Sequence, residues 1–218
     1  MYLAHDLKTP LSSVIGYLTL LRDDEQQIPQ ELRNKYLSIS LDKAERLEDL
    51  INEFFEITRF NLSNITLKYS DINLTRLLEQ LIYEFNPMLK EKNLQCVLHS
   101  AKDIMLHCDA NKMQRVFDNL LRNAAIYSYS DTEITITTEL RANKVTIVFE
   151  NCGANIPEEK LEQIFEQFYR VDTARSMANG GAGLGLAIAK HIVELHKGTI
   201  AAKSKDECVK FIVELPLS

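Results

Sequence analysis

The sequence contains no tryptophan and only seven glycines in 218 residues, and it has no excess of positive charge. Its 25 lysines and arginines face 31 aspartates and glutamates, for a net charge of −6. That balance argues against nucleic acid as the main partner, because a phosphate backbone selects a basic face. No run of 18 or more apolar residues occurs, so none of these residues is expected to span a membrane. Met1 is followed by no basic, apolar and small-residue succession of the signal-peptide kind. The four cysteines, Cys96, Cys108, Cys152 and Cys208, lie far apart, with no CxxC and no metal-like spacing. Their even number permits disulfides, but the scatter reads as separate thiols in a reducing compartment. No internal repeat or low-complexity segment is visible. What the chain does have is 45% hydrophobic residues, enough for a sizeable core in one or two domains.

The first sixty residues differ from the rest. Leu7, Leu11, Val14, Leu18 and Leu21 recur at steps of three and four, the period of one helical face. The polar stretch RDDEQQIPQE (22–31) interrupts this pattern. A second periodic run then follows through Leu37, Leu41, Ala44, Leu47, Ile51 and Phe54. Two such helices make a hairpin too thin to bury both apolar faces; either pairing with a second copy completes a dimeric four-helix bundle, the favoured expectation, or the hairpin packs against the rest of the chain. A polar segment near 61–73 marks a boundary, giving expected domains at 1–62 and 63–218. Beyond it, helix-like runs cover about 74–92, 110–128, 157–168 and 184–197. Strand-like runs lie near 65–69, 94–99, 132–140, 144–150, 199–204 and 208–215. Adjacent antiparallel pairs with helices between them predict an α+β sandwich of one sheet and one helical layer.

Chemistry-bearing residues are clustered. Four of the seven glycines fall in GGAGLG (180–185), which runs straight into an amphipathic helix. A glycine-rich turn at a helix N-terminus offers backbone N–H groups and a positive dipole end to a phosphate. It can equally be an ordinary flexible loop. It is neither a Rossmann fingerprint, since no strand immediately precedes it, nor a Walker loop. In DNLLRNAAIYS (118–128), Asn119 and Asn123 are four apart and share a helix face. Their oxygens can hold a hydrated Mg²⁺, or they can be plain surface amides. ENCGANIP (150–157) places an acceptor, Asn151, and a turn, Gly153, between a strand and a helix. IFEQFYR (164–170) is aromatic-rich with a terminal arginine. AHDLKTPLSSVIGY (4–17) carries His5 beside Asp6, at the head of the first periodic run. By itself, that stretch is a histidine near a proline in a helix.

Taken in order, these segments resemble the boxes of the sensor histidine kinases. HDLKTPL is similar to the H box and NLLRNAAIYS to the N box. NCGANIP is similar to the G1 box, FEQFYR to the F box and GGAGLGL to the G2 box. All five occur in the family's order, and longer stretches are most like its vancomycin-resistance sensors. The resemblance implies an N-terminal helical hairpin forming a dimeric four-helix bundle, followed by a Bergerat-type α/β sandwich that binds ATP. It implies that His5 is the phosphoacceptor, that Asp6 is its acidic partner, and that Thr9 orients water for dephosphorylating a response regulator. Asn119 and Asn123 would contact phosphates and Mg²⁺, with Asn123 the metal ligand, and Tyr127 would pack on the nucleotide. Asn151 and Gly153 would receive the base. Gly181, Gly183 and Gly185 would line the phosphates, with Arg170 steadying the γ-phosphate. Residues 172–182 would be a lid over ATP. Pro10 would kink the first helix below His5. The implied partners are a second copy and a cognate response regulator of the vancomycin-resistance type. Membrane contact would come only through a region N-terminal to this sequence, making the chain the cytoplasmic portion of a bacterial membrane sensor.

Two boxes depart from the family pattern. Asn151 stands where the family has Asp, and Asn155 stands at its second glycine, a place that asparagine tolerates when the backbone is left-handed. Ile126 replaces a basic residue ahead of Tyr127. Weak ATP binding is the expected symptom. A catalytically impaired signalling scaffold and a phosphatase-dominant regulator therefore stand as alternatives to the kinase.

Overall fold

The computed structural model describes residues 3–22, 28–62, 66–100, 103–171 and 183–217, and the chain divides into two compact units, Met1–Ile65 and Thr66–Ser218. The first unit consists of α1 (Leu3–Arg22) and α2 (Gln30–Leu62). The two helices pack on each other, with the rings of Tyr17 and Tyr36 5.2 Å apart. Pro10 lies inside α1 and is buried. The α2 N-terminus follows Pro29, whose carbonyl accepts the Arg33 N–H at 2.9 Å, and Glu31 in its first turn complements the helix dipole. Much of the apolar periodicity remains uncovered within one chain. Leu11, Ile15, Leu18, Leu37 and Leu41 are all exposed, Leu41 by 60%.

The second unit runs β1 (Ser70–Asn73), α3 (Leu74–Glu91), β2 (Gln95–His99), β3 (Met105–Cys108), α4 (Ala110–Tyr127), β4 (Glu133–Arg141) and β5 (Lys144–Cys152), then α5 (Gly185–Leu195), β6 (Thr199–Lys205) and β7 (Cys208–Pro216). Five strands form one sheet in the order β2-β4-β5-β7-β6. Buried and more open positions alternate along β5 and β7. Their inward residues, among them Val145, Ile147, Phe149, Phe211 and Val213, meet the apolar faces of the helices. Phe117 of α4 stacks on Phe149 with ring centres 5.9 Å apart. Side-chain caps set the helix starts. The Asn73 side chain accepts the Arg76 N–H at 3.0 Å, and Asp109 accepts the Lys112 N–H at 3.1 Å.

The α/β sandwich agrees with the sequence reading, and four details differ. β2 and β4 pair in parallel, because α4 lies in the crossover between them, so the sheet is mixed rather than built only of antiparallel neighbours. A second, two-stranded sheet joins β1 to β3, and β3 was not expected. Strand β1 begins at Ser70, beyond the expected 65–69. The expected helix at 157–168 is instead two short 3₁₀ turns, at Glu158–Lys160 and Gln163–Phe165. Burial of Ile164 and Phe165 and the left-handed backbone of Phe168 (φ 65°) break what propensity alone would continue.

Candidate functional site

The site is organised along α4. Asn119 and Asn123 both lie on this helix, and Asn119 meets the start of α5. A Cβ added at Gly185 would sit 3.1 Å from Asn119 Oδ1, so only a bare backbone comes this close without displacing the carboxamide. The Asn119 Nδ2 atom is buried without a hydrogen-bond partner among the described residues. Gly183, at φ 75°, is the one described glycine with a left-handed backbone. A side chain there would meet the Tyr169 carbonyl at 2.9 Å and the Arg170 Cγ at 3.3 Å. The Phe168 N–H donates to the Gly183 carbonyl at 3.0 Å, which ties the F-box segment to the glycine turn. Asn119, Arg170, Gly183 and Gly185 are thereby brought together.

At the other end of α4, about 12 Å further along for eight residues of helix, Tyr127, Asn151 and Gly153 converge. Ser128 and Gly153 form a β-bridge. A Cβ at Gly153 would fall 2.5 Å from the Tyr127 carbonyl and 3.3 Å from Asn151 Nδ2. Close approach, rather than positive φ, is what requires glycine at this position. Asn151 lies near the end of β5, only 2% exposed, and its Nδ2 also has no partner among the described residues. Tyr127 itself is 52% exposed, an aromatic ring left open at the rim.

Two residues acquire roles that their sequence positions did not reveal. Asn155 does not adopt the left-handed backbone for which asparagine was expected to be tolerated. Its Oδ1 accepts the Glu207 N–H at 3.0 Å and the Ser204 hydroxyl at 3.3 Å, latching the 153–156 loop to the β6–β7 turn. The Gly153 N–H to Glu207 carbonyl bond (2.9 Å) and the Ile156 N–H to Ser204 Oγ bond (2.9 Å) complete that latch. Lys92 reaches the C-terminus of α4, where its amine donates to the Ala125 carbonyl at 3.1 Å and to the Ile126 carbonyl. A cation at that end satisfies orphan carbonyls and offsets the helix dipole. No local motif announces either residue, since the partners lie 30 or more positions away.

The α4 N-terminus is fixed from the far side of the domain. Asp109 accepts N–H bonds from Lys112 and, at 2.9 Å, from Lys68. Its own N–H donates to His196 Nε2 at 3.0 Å, so His196 Nδ1 carries the proton donated to the Ile192 carbonyl at 2.8 Å. Burial disfavours the Asp109 carboxylate, yet the two backbone bonds, with the Lys112 amine nearby, hold its pKa below the ordinary value.

The backbone of His5 and Asp6 lies in α1, and their side chains lie outside the described residues, as do Gly181 and the whole 172–182 stretch. Thr9 is exposed on α1, and its carbonyl accepts the Ser13 hydroxyl at 3.1 Å. Among the described residues there is no cluster of three or more His, Cys, Asp or Glu that could hold a metal. None of the helices searched there is long and apolar enough to cross a membrane.

Comparison with known proteins agrees with this architecture. Residues 1–62 match the His Kinase A (phospho-acceptor) domain, and residues 108–218 match the histidine kinase-, DNA gyrase B-, and HSP90-like ATPase family. The chain is 52% identical to the sensor protein VanS of Enterococcus faecium over 99% of its own length and 56% of that protein's. It is 50% identical to the sensor protein VanSC of Enterococcus gallinarum, again over 99% of its length and 59% of the relative's. The chain thus spans a little over half the length of these curated relatives. Among solved structures, it superposes with a TM-score of 0.80 on the histidine kinase ThkA in complex with the response regulator protein TrrA. That match is at 26% identity and covers 99% of this chain and 60% of that one. The chain belongs to the histidine kinase-, DNA gyrase B-, and HSP90-like ATPase family, on its sensor histidine kinase branch.

Proposed function

We propose that this chain is the phosphotransfer and catalytic portion of a two-component sensor that phosphorylates its own His5 from Mg-ATP and passes the phosphoryl group to a response-regulator aspartate. The observation that carries the proposal is the convergence on one helix, α4, of two bare-backbone approaches, Gly185 against Asn119 and Gly153 against Tyr127. The donor set fits a nucleotide. Asn119 and Asn151 each keep a buried amide nitrogen without a partner among the described residues, and side chains at Gly153, Gly183 or Gly185 would fill the cradle. Such orphan donors are costly in a finished interior, by about 1–3 kcal/mol each, and are understandable where a ligand or an amide rotation completes them.

Each residue then has a task. Asn151 presents its carboxamide to the base, with Gly153 leaving room for it and Tyr127 covering the rim. Asn119 and Asn123 orient the phosphates, and the Asn123 carboxamide oxygen is the protein's ligand for Mg²⁺, a cation that keeps waters and substrate phosphates as its other ligands. Gly181, Gly183 and Gly185 approach the phosphate chain with bare backbone, and Arg170 supplies positive charge as the γ-phosphoryl group leaves. Mg-ATP, when bound, supplies that phosphoryl group and neutralises the charge on it. His5 offers an unprotonated imidazole nitrogen, and Asp6 fixes its tautomer and takes its proton. Thr9, one turn on, holds water against the regulator's phosphoaspartate in the reverse reaction.

The two VanS-type relatives support a VanR-like regulator and control of vancomycin-resistance genes. The exposed apolar stripe of α1 and α2 supports a homodimer. Incubation with γ-labelled ATP and Mg²⁺ should give acid-labile label that moves to an added response regulator, and a chain that stays unlabelled would overturn the kinase reading. Thr9→Ala should slow loss of regulator phosphate several-fold while leaving self-labelling intact. Unchanged dephosphorylation would remove Thr9 from this role.

A further inference from the structure

The two cysteines at the end of β5 and the start of β7 are placed opposite each other. In the β5–β7 ladder, Cys152 faces Cys208 directly. The β6–β7 turn holds Asp206 at φ 53° and Glu207 at φ 58°, the two left-handed residues of a type I′ hairpin. Lys205 and Cys208 close that turn, so the Cys208 backbone N–H and C=O face β6 rather than β5. On the other strand, the Cys152 carbonyl accepts the Tyr129 N–H at 2.9 Å, pointing away from β7. The neighbouring cross-strand bond is Gly153 N–H to the Glu207 carbonyl at 2.9 Å. Cys152 and Cys208 are therefore a non-hydrogen-bonded pair, the kind whose Cα atoms approach to about 4.5 Å with side chains on one face. A disulfide spans Cα separations of about 4.4–6.8 Å. The remaining cysteines have no such neighbour, since Cys96 faces Ile134 and Cys108 faces Ser70 in their ladders.

We propose that Cys152 and Cys208 form a reversible disulfide with a low-molecular-weight disulfide as oxidant, a redox-modification site that clasps the strand end carrying Asn151 and Gly153. The environments of the two thiols set the order of events. Cys152 is exposed and is the point of entry. Cys208 is half-buried, and its S–H donates to Glu150 Oε1 at 3.0 Å. Burial, and then that carboxylate, push its pKa up to about 11, so it is the weaker first attacker. The Cys152 thiolate attacks one sulfur of the oxidant and expels one small thiolate, leaving a mixed disulfide. Cys208 then loses its proton to solvent base, and its thiolate attacks Cys152 Sγ and expels the second small thiolate. Two protein thiols are oxidised and one small disulfide is reduced to two thiols. Lys210, ion-paired with Glu150 at 2.8 Å, keeps that carboxylate ionised as the acceptor that holds the Cys208 S–H in the reduced protein.

The test uses the 218-residue chain with oxidised glutathione, followed by alkylation at low pH and peptide mapping by mass spectrometry. The wild type should yield a Cys152–Cys208 linked peptide that a thiol reductant removes. Cys208→Ser should stop at a glutathione adduct on Cys152, and Cys152→Ser should leave Cys208 free over the same time, with the circular dichroism of both variants unchanged. A wild type that stops at the adduct, forms its link through Cys96 or Cys108, or stays reduced while Cys152 is alkylated readily would overturn the proposal. None of these readouts depends on nucleotide binding.

Discussion

Gly153 shows how much one missing methyl group can decide. A Cβ there would lie 2.5 Å from the Tyr127 carbonyl, an atom of α4's last residue that cannot step aside without moving the helix end. Gly153→Ala should therefore cost about 1–3 kcal/mol of stability, the usual range for overpacking. It should also weaken nucleotide binding, because Tyr127 and Asn151 move with it. Urea unfolding and calorimetric titration with ATP measure both, and an unchanged midpoint would mean that the loop yields freely. The sequence marked Gly153 as a turn residue without indicating what it approached, since Tyr127 lies 26 positions earlier (153 minus 127). Asn155 was legible only as a departure from glycine. Its work on Ser204 and Glu207 depends on a hairpin some fifty residues away, which no local pattern encodes.

At the scale of elements, the sequence was most informative where hydrophobic period and cap agreed. α3 and α4 begin at Asn73 and Asp109, each capping the third N–H on, and their apolar faces are buried as the period required. It was least informative at β1, whose four residues, SDIN, carry no strand-like alternation, so that only pairing with β3 makes them a strand. Asp109 makes a pH prediction possible. Its folded pKa is held below the ordinary aspartate value of about 3.9. The stabilisation is therefore complete above that range and is lost as pH falls through the lower, folded value. Asp109→Asn keeps the Lys112 cap but loses the second acceptor used by Lys68, for a cost of about 1 kcal/mol at neutral pH. Urea midpoints measured against pH should fall more steeply below about pH 4 for the wild type than for this variant. Parallel curves would assign the acid sensitivity elsewhere.

For the whole molecule, the two compact units divide the labour that the boxes suggested, with the histidine on a helical hairpin and the glycine turns on the sandwich. The helical hairpin leaves Ile15 56% and Leu41 60% exposed, which is expensive for a stripe of this length unless a second copy covers it. Leu41→Asp should shift sedimentation from dimer toward monomer and leave ATP binding by the second unit unchanged. A wild type that sediments as a monomer throughout the micromolar range would contradict the pairing. Under the proposed function, ATP bound along α4 phosphorylates His5. That step is tested most directly by locating the phosphate after incubation with γ-labelled Mg-ATP. Acid-labile, alkali-stable label is expected on the wild type, none on His5→Gln, and strongly reduced label on Asn123→Ala. Label that persists on His5→Gln would contradict it.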